Sequence, residues 1–107
     1  MEFRIVWNQD GRQGSGYMEL LPGEFKGKWW NLESAYIREY EFEDALESIF
    51  ARHAPDFYRY GNTQIGSDQC WAIIDDLKAI GSPAANELAI WLHGIVAKHG
   101  SITVLGM

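Results

Sequence analysis

The last third of the chain carries the pattern that most constrains the fold. Apolar residues recur at helical spacing after Ser67, a residue type suited to a helix N-cap, and this pattern ends at Gly81. Its apolar stripe consists of Cys70, Ile73, Ile74, Leu77 and Ile80. A second helical pattern runs from Pro83 to about His99 and has a broad apolar face. The β-branched residues over 101–105 then predict a final strand.

The first two thirds of the chain mainly predict strands. Alternating apolar residues indicate strands over 2–8, 17–21, 25–30 and 57–65, and Pro22-Gly23 indicates a type II turn between the second and third. Residues 34–41 can be read in two ways, and we favour a strand, followed by a helix over 42–53 that Pro55 closes. The predicted fold class is α+β, a mainly antiparallel sheet with about three helices packed on one side, in a single domain over residues 1–107.

Composition limits the location and the partners of this domain. The chain has 107 residues, and 47% of them are hydrophobic, which is enough for a buried core. The single cysteine allows no internal disulfide, and no signal sequence or membrane span is evident, so we expect a cytoplasmic protein with no membrane partner. A net charge of −6 argues against nucleic acid as a partner and favours a basic protein.

The charge is concentrated between residues 33 and 47. Six acids in this segment are opposed by Arg38 alone, so it carries a net charge of −5 out of the total of −6. If residues 34–41 form a strand, alternate acids there lie on one face and the helix continues the acidic ridge. The predicted partner-binding acids are Glu39, Glu41, Glu43, Asp44 and Glu47, with one of Trp29 or Trp30 as an exposed apolar anchor. The alternative is an ordinary solvated surface.

Cys70 offers an enzymatic alternative. Cys70-Trp71-Ala72 resembles the nucleophile region of papain-like cysteine proteases, so a small hydrolase or transferase could use Cys70 with a histidine. However, Cys70 lies in the apolar stripe of its helix, which favours a buried structural thiol. The histidines and the cysteine lack metal-ligand spacing, so we predict no metal site, no cofactor and no enzymatic activity. A phage or bacterial assembly subunit, with the broad helix and the abundant tryptophan as a self-interface, is a third alternative.

Several local sequences support a resemblance to a known class of proteins. They are Gly16-Tyr17-Met18-Glu19-Leu20, Glu39-Tyr40-Glu41-Phe42 and Tyr60-Gly61-Asn62-Thr63-Gln64-Ile65, the last followed by Trp71 and Ile73-Ile74. In these stretches the chain resembles the immunity proteins that bacteria use in competition, against toxins delivered by neighbouring cells. The resemblance implies that the protein binds one cognate toxin domain and blocks its active site or its substrate approach. We expect a monomer or homodimer. Many such toxins are nucleases with basic clefts, which an acidic ridge can occupy.

Overall fold

The computed structural model describes residues 3–7, 16–27, 31–58 and 60–106. The elements follow in the order β1 (Ile5–Val6), β2 (Tyr17–Pro22), β3 (Ala35–Arg38), α1 (Glu39–Ala45), α2 (Glu47–His53), β4 (Asn62–Gly66), α3 (Ser67–Ile80), α4 (Pro83–His99) and β5 (Ser101–Leu105). The strands form one antiparallel sheet in the order β1-β3-β2-β5-β4, and the helices pack against it. The predicted α+β fold class is therefore confirmed.

The main core lies between the sheet and the helices. From the sheet, Met18, Leu20 and Ile37 enter one apolar cluster that is closed to solvent. Phe42 and Phe50 bring α1 and α2 into the same cluster. The helices α3 and α4 contribute the buried side chains Cys70, Ile73, Ile74, Leu77, Leu88, Leu92, Ile95 and Val96. The central strand β2 is buried along its whole length, so both of its faces are covered.

The two long helices begin and end close to the predicted residues. Gly81 and Gly100 both adopt left-handed φ angles, 74° and 78°, where glycine is favoured. Ser82 caps α4 by accepting a hydrogen bond from the Ala85 amide at 3.2 Å. The first residue of α3 is Ser67, and Gly66 occupies the N-cap position predicted for Ser67. Ile80, predicted to be in the buried stripe, is 49% exposed, and that prediction is wrong.

The strands predicted over 25–30 and 57–65 differ from the observed ones. Residues 25–27 form no strand, and residues 28–30 of the same prediction lie outside the described residues. Gly23 adopts a φ of 71°, as the predicted turn requires, but its amide donates to the Ser101 carbonyl at 2.8 Å. The chain is thereby held against β5. Residues 57–58 are also outside any strand, and β4 covers only Asn62–Gly66.

The strand predicted over 34–41 is wrong from Glu39 onwards. β3 ends at Arg38, and the Glu39 amide donates to the Gly16 carbonyl at 2.6 Å before the chain turns into α1. The single helix predicted over 42–53 is also wrong, since the chain forms two seven-residue helices that meet at Leu46. This difference decides the direction of the acidic side chains.

Candidate protein-binding surface

Helix α1 is held to the core by one aromatic residue and exposes another. The Phe42 ring is 1% exposed and packs against the rings of Phe50 and Phe57, with centroids at 5.1 and 5.7 Å. Tyr40, two positions earlier, lies on the outer side of the same helix and is 62% exposed. Residues three and four apart are neighbours on a helix surface, so Glu43 and Asp44 lie beside Tyr40. Buried Phe42 therefore fixes the direction in which Tyr40 points.

The helix explains why acids are accommodated at this point. Glu39 and Glu41 occupy the first turn of α1, where negative charge interacts favourably with the helix dipole. The same helical geometry turns these two acids to different sides, because residues two apart are separated by about 200° around the axis. The predicted ridge of Glu39, Glu41 and Glu43 on one strand face is consequently wrong.

The structure assigns Glu41 to a contact within the fold. Its Oε1 atom accepts a hydrogen bond from the Arg4 backbone amide at 2.7 Å, and the residue is half-buried. Glu41 thus ties the chain next to β1 to α1. It does not belong to the outward surface that the sequence predicted.

The remaining predicted acids fall into two groups. Glu39 is half-buried and Asp44 is exposed, and no basic side chain in the described part of the chain forms an ion pair with either of them. Glu43 and Glu47 each interact with another group of the chain, and Glu47 is half-buried at the start of α2. We define the Tyr40 surface as Glu39, Tyr40, Glu43 and Asp44.

Arg38, the basic residue of the acidic segment, is directed towards aromatic rings. Its guanidinium donates to the Tyr17 hydroxyl at 2.9 Å and lies 4.9 Å from the Tyr17 ring centroid. It also lies 5.9 Å from the Tyr40 ring centroid. A recess of about 250 Å³ lies next to this contact, lined by Gly16, Arg38, Glu39, Tyr40 and Glu43.

The recess combines charges of both signs with an aromatic face. The Glu39 carboxylate supplies negative charge and the exposed Tyr40 ring supplies an aromatic face, while the Arg38 guanidinium lines the same recess and is bonded to the Tyr17 hydroxyl. Tyrosine is also enriched at the centres of protein interfaces, where its ring provides area and its hydroxyl a hydrogen bond. The exposed ring and the carboxylates of Glu39 and Asp44 are therefore groups that a protein partner can contact.

Glu33, the first acid of the run, belongs to the fold. Its carboxylate oxygens lie 3.0 Å from Lys98 Nζ and 3.3 Å from His99 Nε2. The hydrogen bond from Lys98 lowers the pKa of Glu33, and the charges of Lys98 and His99 act in the same direction. The Glu33 carbonyl also accepts a hydrogen bond from Trp91 Nε1 at 3.0 Å. These contacts fasten the segment before β3 to α4.

The apolar anchor differs from the one predicted. Trp29 and Trp30 lie outside the described residues, so their prediction stays untested. Tyr40 was missed because the strand interpretation placed it on the face opposite to the acids. The spacing of Tyr40 to Glu43 and Asp44, three and four residues, is the signal that a helical reading would have used.

The environment of Cys70 is that of a structural thiol. The side chain is fully buried, and Sγ donates to the Ile65 carbonyl at 3.6 Å. Burial raises the pKa of the thiol to about 12, so the reactive thiolate is scarce at neutral pH. The prediction of a buried thiol is confirmed, and a nucleophilic role for Cys70 finds no support.

The broad face of α4 is used within the chain. Leu88, Leu92 and Val96 are buried in the main core against the sheet and α3. These residues were the basis for the alternative of an assembly subunit with a helical self-interface. That face is therefore not available for a second subunit.

Metal-binding groups, membrane-spanning helices and similarity to known proteins add no further assignment. Within the described ranges, no group of three or more His, Cys, Asp and Glu side chains is placed to hold a metal ion. No helix in those ranges is both long and apolar enough to cross a membrane. No protein-family model, curated protein or solved structure matches the chain.

Proposed function

We propose that this chain is an immunity-type inhibitor that binds one cognate bacterial toxin domain and carries out no chemical reaction itself. The observation that carries the proposal is the exposed Tyr40 ring, 62% accessible, beside the carboxylates of Glu39 and Asp44. An exposed tyrosine ring on a helix that buried Phe42 fixes to the core is suited to act as an interface anchor. The net charge of −6 favours a basic partner.

The mechanism we propose is occlusion. The negative field of α1 steers a positively charged toxin cleft towards the inhibitor and speeds association. Tyr40 then packs into the cleft, and the neighbouring acids take the place of the phosphate groups of a nucleic-acid substrate. The inhibitor acts in the cytoplasm of the producing cell, where a nuclease-like toxin reaches its substrate.

The test uses the toxin domain encoded by the neighbouring gene, as expected for an immunity protein. The two proteins are co-expressed and co-purified, and their affinity is measured by titration calorimetry together with inhibition of the toxin. We expect Glu39→Lys/Asp44→Lys to weaken binding at least about 30-fold, because two attractive contacts become repulsive. Circular dichroism checks that the variant remains folded.

The matched control is Asp75→Lys/Glu87→Lys. Both residues are exposed, on α3 and α4, and the variant changes the net charge by the same amount. We expect this control to bind within about threefold of the wild type, since distant surface charges act mainly through the screened long-range field. Equal weakening by both variants would show that total charge matters and that the Tyr40 surface is not the interface.

A further inference from the structure

The edge strand β4 lacks the features that usually prevent an edge from pairing. It lies at the end of the sheet, next to β5 alone among the described strands. Its sequence, Asn-Thr-Gln-Ile-Gly, contains no charged residue and no proline. Natural sheets commonly protect such edges with lysine, proline or a bulge. β4 is therefore a candidate template for another strand.

The register of the sheet determines which backbone groups of β4 face outwards. The Gly106 amide donates to the Gly61 carbonyl at 2.8 Å, one step beyond the Asn62–Leu105 pair. In antiparallel strands, hydrogen-bonded pairs alternate with pairs that are not hydrogen-bonded. Residues 61, 63 and 65 consequently bond to β5, and residues 62, 64 and 66 direct their N–H and C=O groups to the outer edge.

One of these outward groups is already used within the fold. The Gly66 amide donates to Gln69 Oε1 at 2.9 Å, and Gln69 Nε2 donates in turn to the His53 carbonyl at 3.0 Å. Within the described ranges, no hydrogen bond reaches the outward backbone groups of Asn62 or Gln64. The free edge therefore consists of two residues, each with one donor and one acceptor.

We propose that β4 pairs with β4 of a second copy of this chain, antiparallel, with Asn62 of one copy opposite Gln64 of the other. The two-fold axis then passes beside Thr63. In this register every free N–H and C=O group of the edge finds a partner. This register does not use the Gly66 amide, which is already bonded to Gln69. A register centred on Gln64 would need that amide for a hydrogen bond between the two copies.

The strand itself favours a second copy over a basic partner. Asn62 and Gln64 are exposed and lie on the same face of β4. Across the two-fold axis, the Asn62 side chain of each copy therefore lies opposite the Gln64 side chain of the other. Both are amides, which can donate and accept hydrogen bonds. An uncharged edge offers nothing specific to a cationic protein. The acids of α1 follow β3, which β2 and β5 separate from β4, so the two negative surfaces stay apart. This inference is independent of the proposed function.

The test is the mass of the full chain in solution over a series of concentrations. By sedimentation equilibrium we expect the mass to rise from 12.2 kDa towards twice that value, because a single strand pair gives a small and therefore weak interface. In amide exchange followed by NMR, the Asn62 and Gln64 amides should become more protected as concentration rises. The Gly66 amide should not change, because it is already bonded to Gln69.

Two variants locate the interface. Gln64→Pro removes an outward N–H group, and an edge strand tolerates proline at such a position. This variant should raise the dimer dissociation constant at least about tenfold. Asn62→Lys/Gln64→Lys places like charges opposite each other and should also give a monomer, without depending on how proline is accommodated. Asn86→Lys, on the exposed side of α4, is the control and should dimerise like the wild type.

Three results would overturn the proposal. The first is a wild-type protein that stays monomeric at every concentration up to about 1 mM. That concentration lies well above the dissociation constant expected for this small, weak interface. The second is a dimer that both β4 variants leave unchanged, since the interface would then lie elsewhere. The third is protection of the Asn62 and Gln64 amides only when the toxin domain is added, which would make the toxin the occupant of the edge.

Discussion

Glu33 and the Tyr40 surface come from one acidic run of sequence but have different surroundings. Glu33 lies between Lys98 and His99 and fastens the segment before β3 to α4. Glu39 and Asp44 border an exposed tyrosine, and no described basic side chain pairs with them. The difference shows that a run of like charges does not have one role. The local fold decides which acids hold the chain together and which stay without an ion pair in the described part of the chain.

The largest expected effect concerns the residue that orients the Tyr40 surface. We expect Phe42→Ala to lower the free energy of unfolding by about 3–5 kcal/mol, because it removes a fully buried ring that contacts Phe50 and Phe57. Tyr40→Ala, on the exposed side of the same helix, should change it by no more than about 0.5 kcal/mol. Urea unfolding followed by fluorescence measures both.

The two variants together test whether the comparison holds. If Tyr40→Ala destabilised the protein as much as Phe42→Ala, Tyr40 would be part of the core. The Tyr40 surface could then not be distinguished from the parts of the acidic segment that stabilise the fold.

A smaller effect is expected at Glu33, and it depends on pH. Since the pKa of Glu33 is lowered in the folded state, its contribution to stability is present above the ordinary pKa of glutamate. The contribution is lost as the pH falls through the lowered value. Glu33→Gln should therefore be less stable than the wild type at neutral pH and equally stable in acid. Unfolding curves over a range of pH values measure the difference.

Lys98 provides the control for this effect. In a Lys98→Met background, Glu33→Gln should add little, because the first cause of the lowered pKa has been removed. High salt should also reduce the difference, since the pair is exposed. A full pH dependence that persists in Lys98→Met would mean that Lys98 is not the main cause of the lowered Glu33 pKa.

Much of the fold could be predicted where local sequence decides it. The helices α3 and α4 were recognised because Ser67, Gly81 and Pro83 mark their ends and apolar stripes run between them. Residues 25–27 of the predicted third strand form no strand, and the bond from the Gly23 amide to Ser101, far along the chain, is not visible in sequence. The predicted end of β3 was wrong, because the bond from the Glu39 amide to the Gly16 carbonyl is also not visible in sequence.

The candidate site was only partly visible in the sequence. Charge composition indicated an acidic binding segment, and four of its residues now line or border one surface. The alternation of Tyr36, Arg38 and Tyr40 also continued into α1, so the sequence favoured a strand there and hid the exposed tyrosine. The use of Glu33 and Glu41 within the fold depends on α4 and on Arg4, which only the tertiary structure brings near.

The most direct test of the central claim is the salt dependence of binding to the neighbour-encoded toxin domain. Dissociation constants are measured from about 50 to about 500 mM sodium chloride, a range over which exposed charges become screened. If Glu39 and Asp44 meet the partner, the wild type and Asp75→Lys/Glu87→Lys should both lose affinity steeply with salt. The slope of Glu39→Lys/Asp44→Lys should be flat or reversed. Identical slopes for all three proteins would contradict the account.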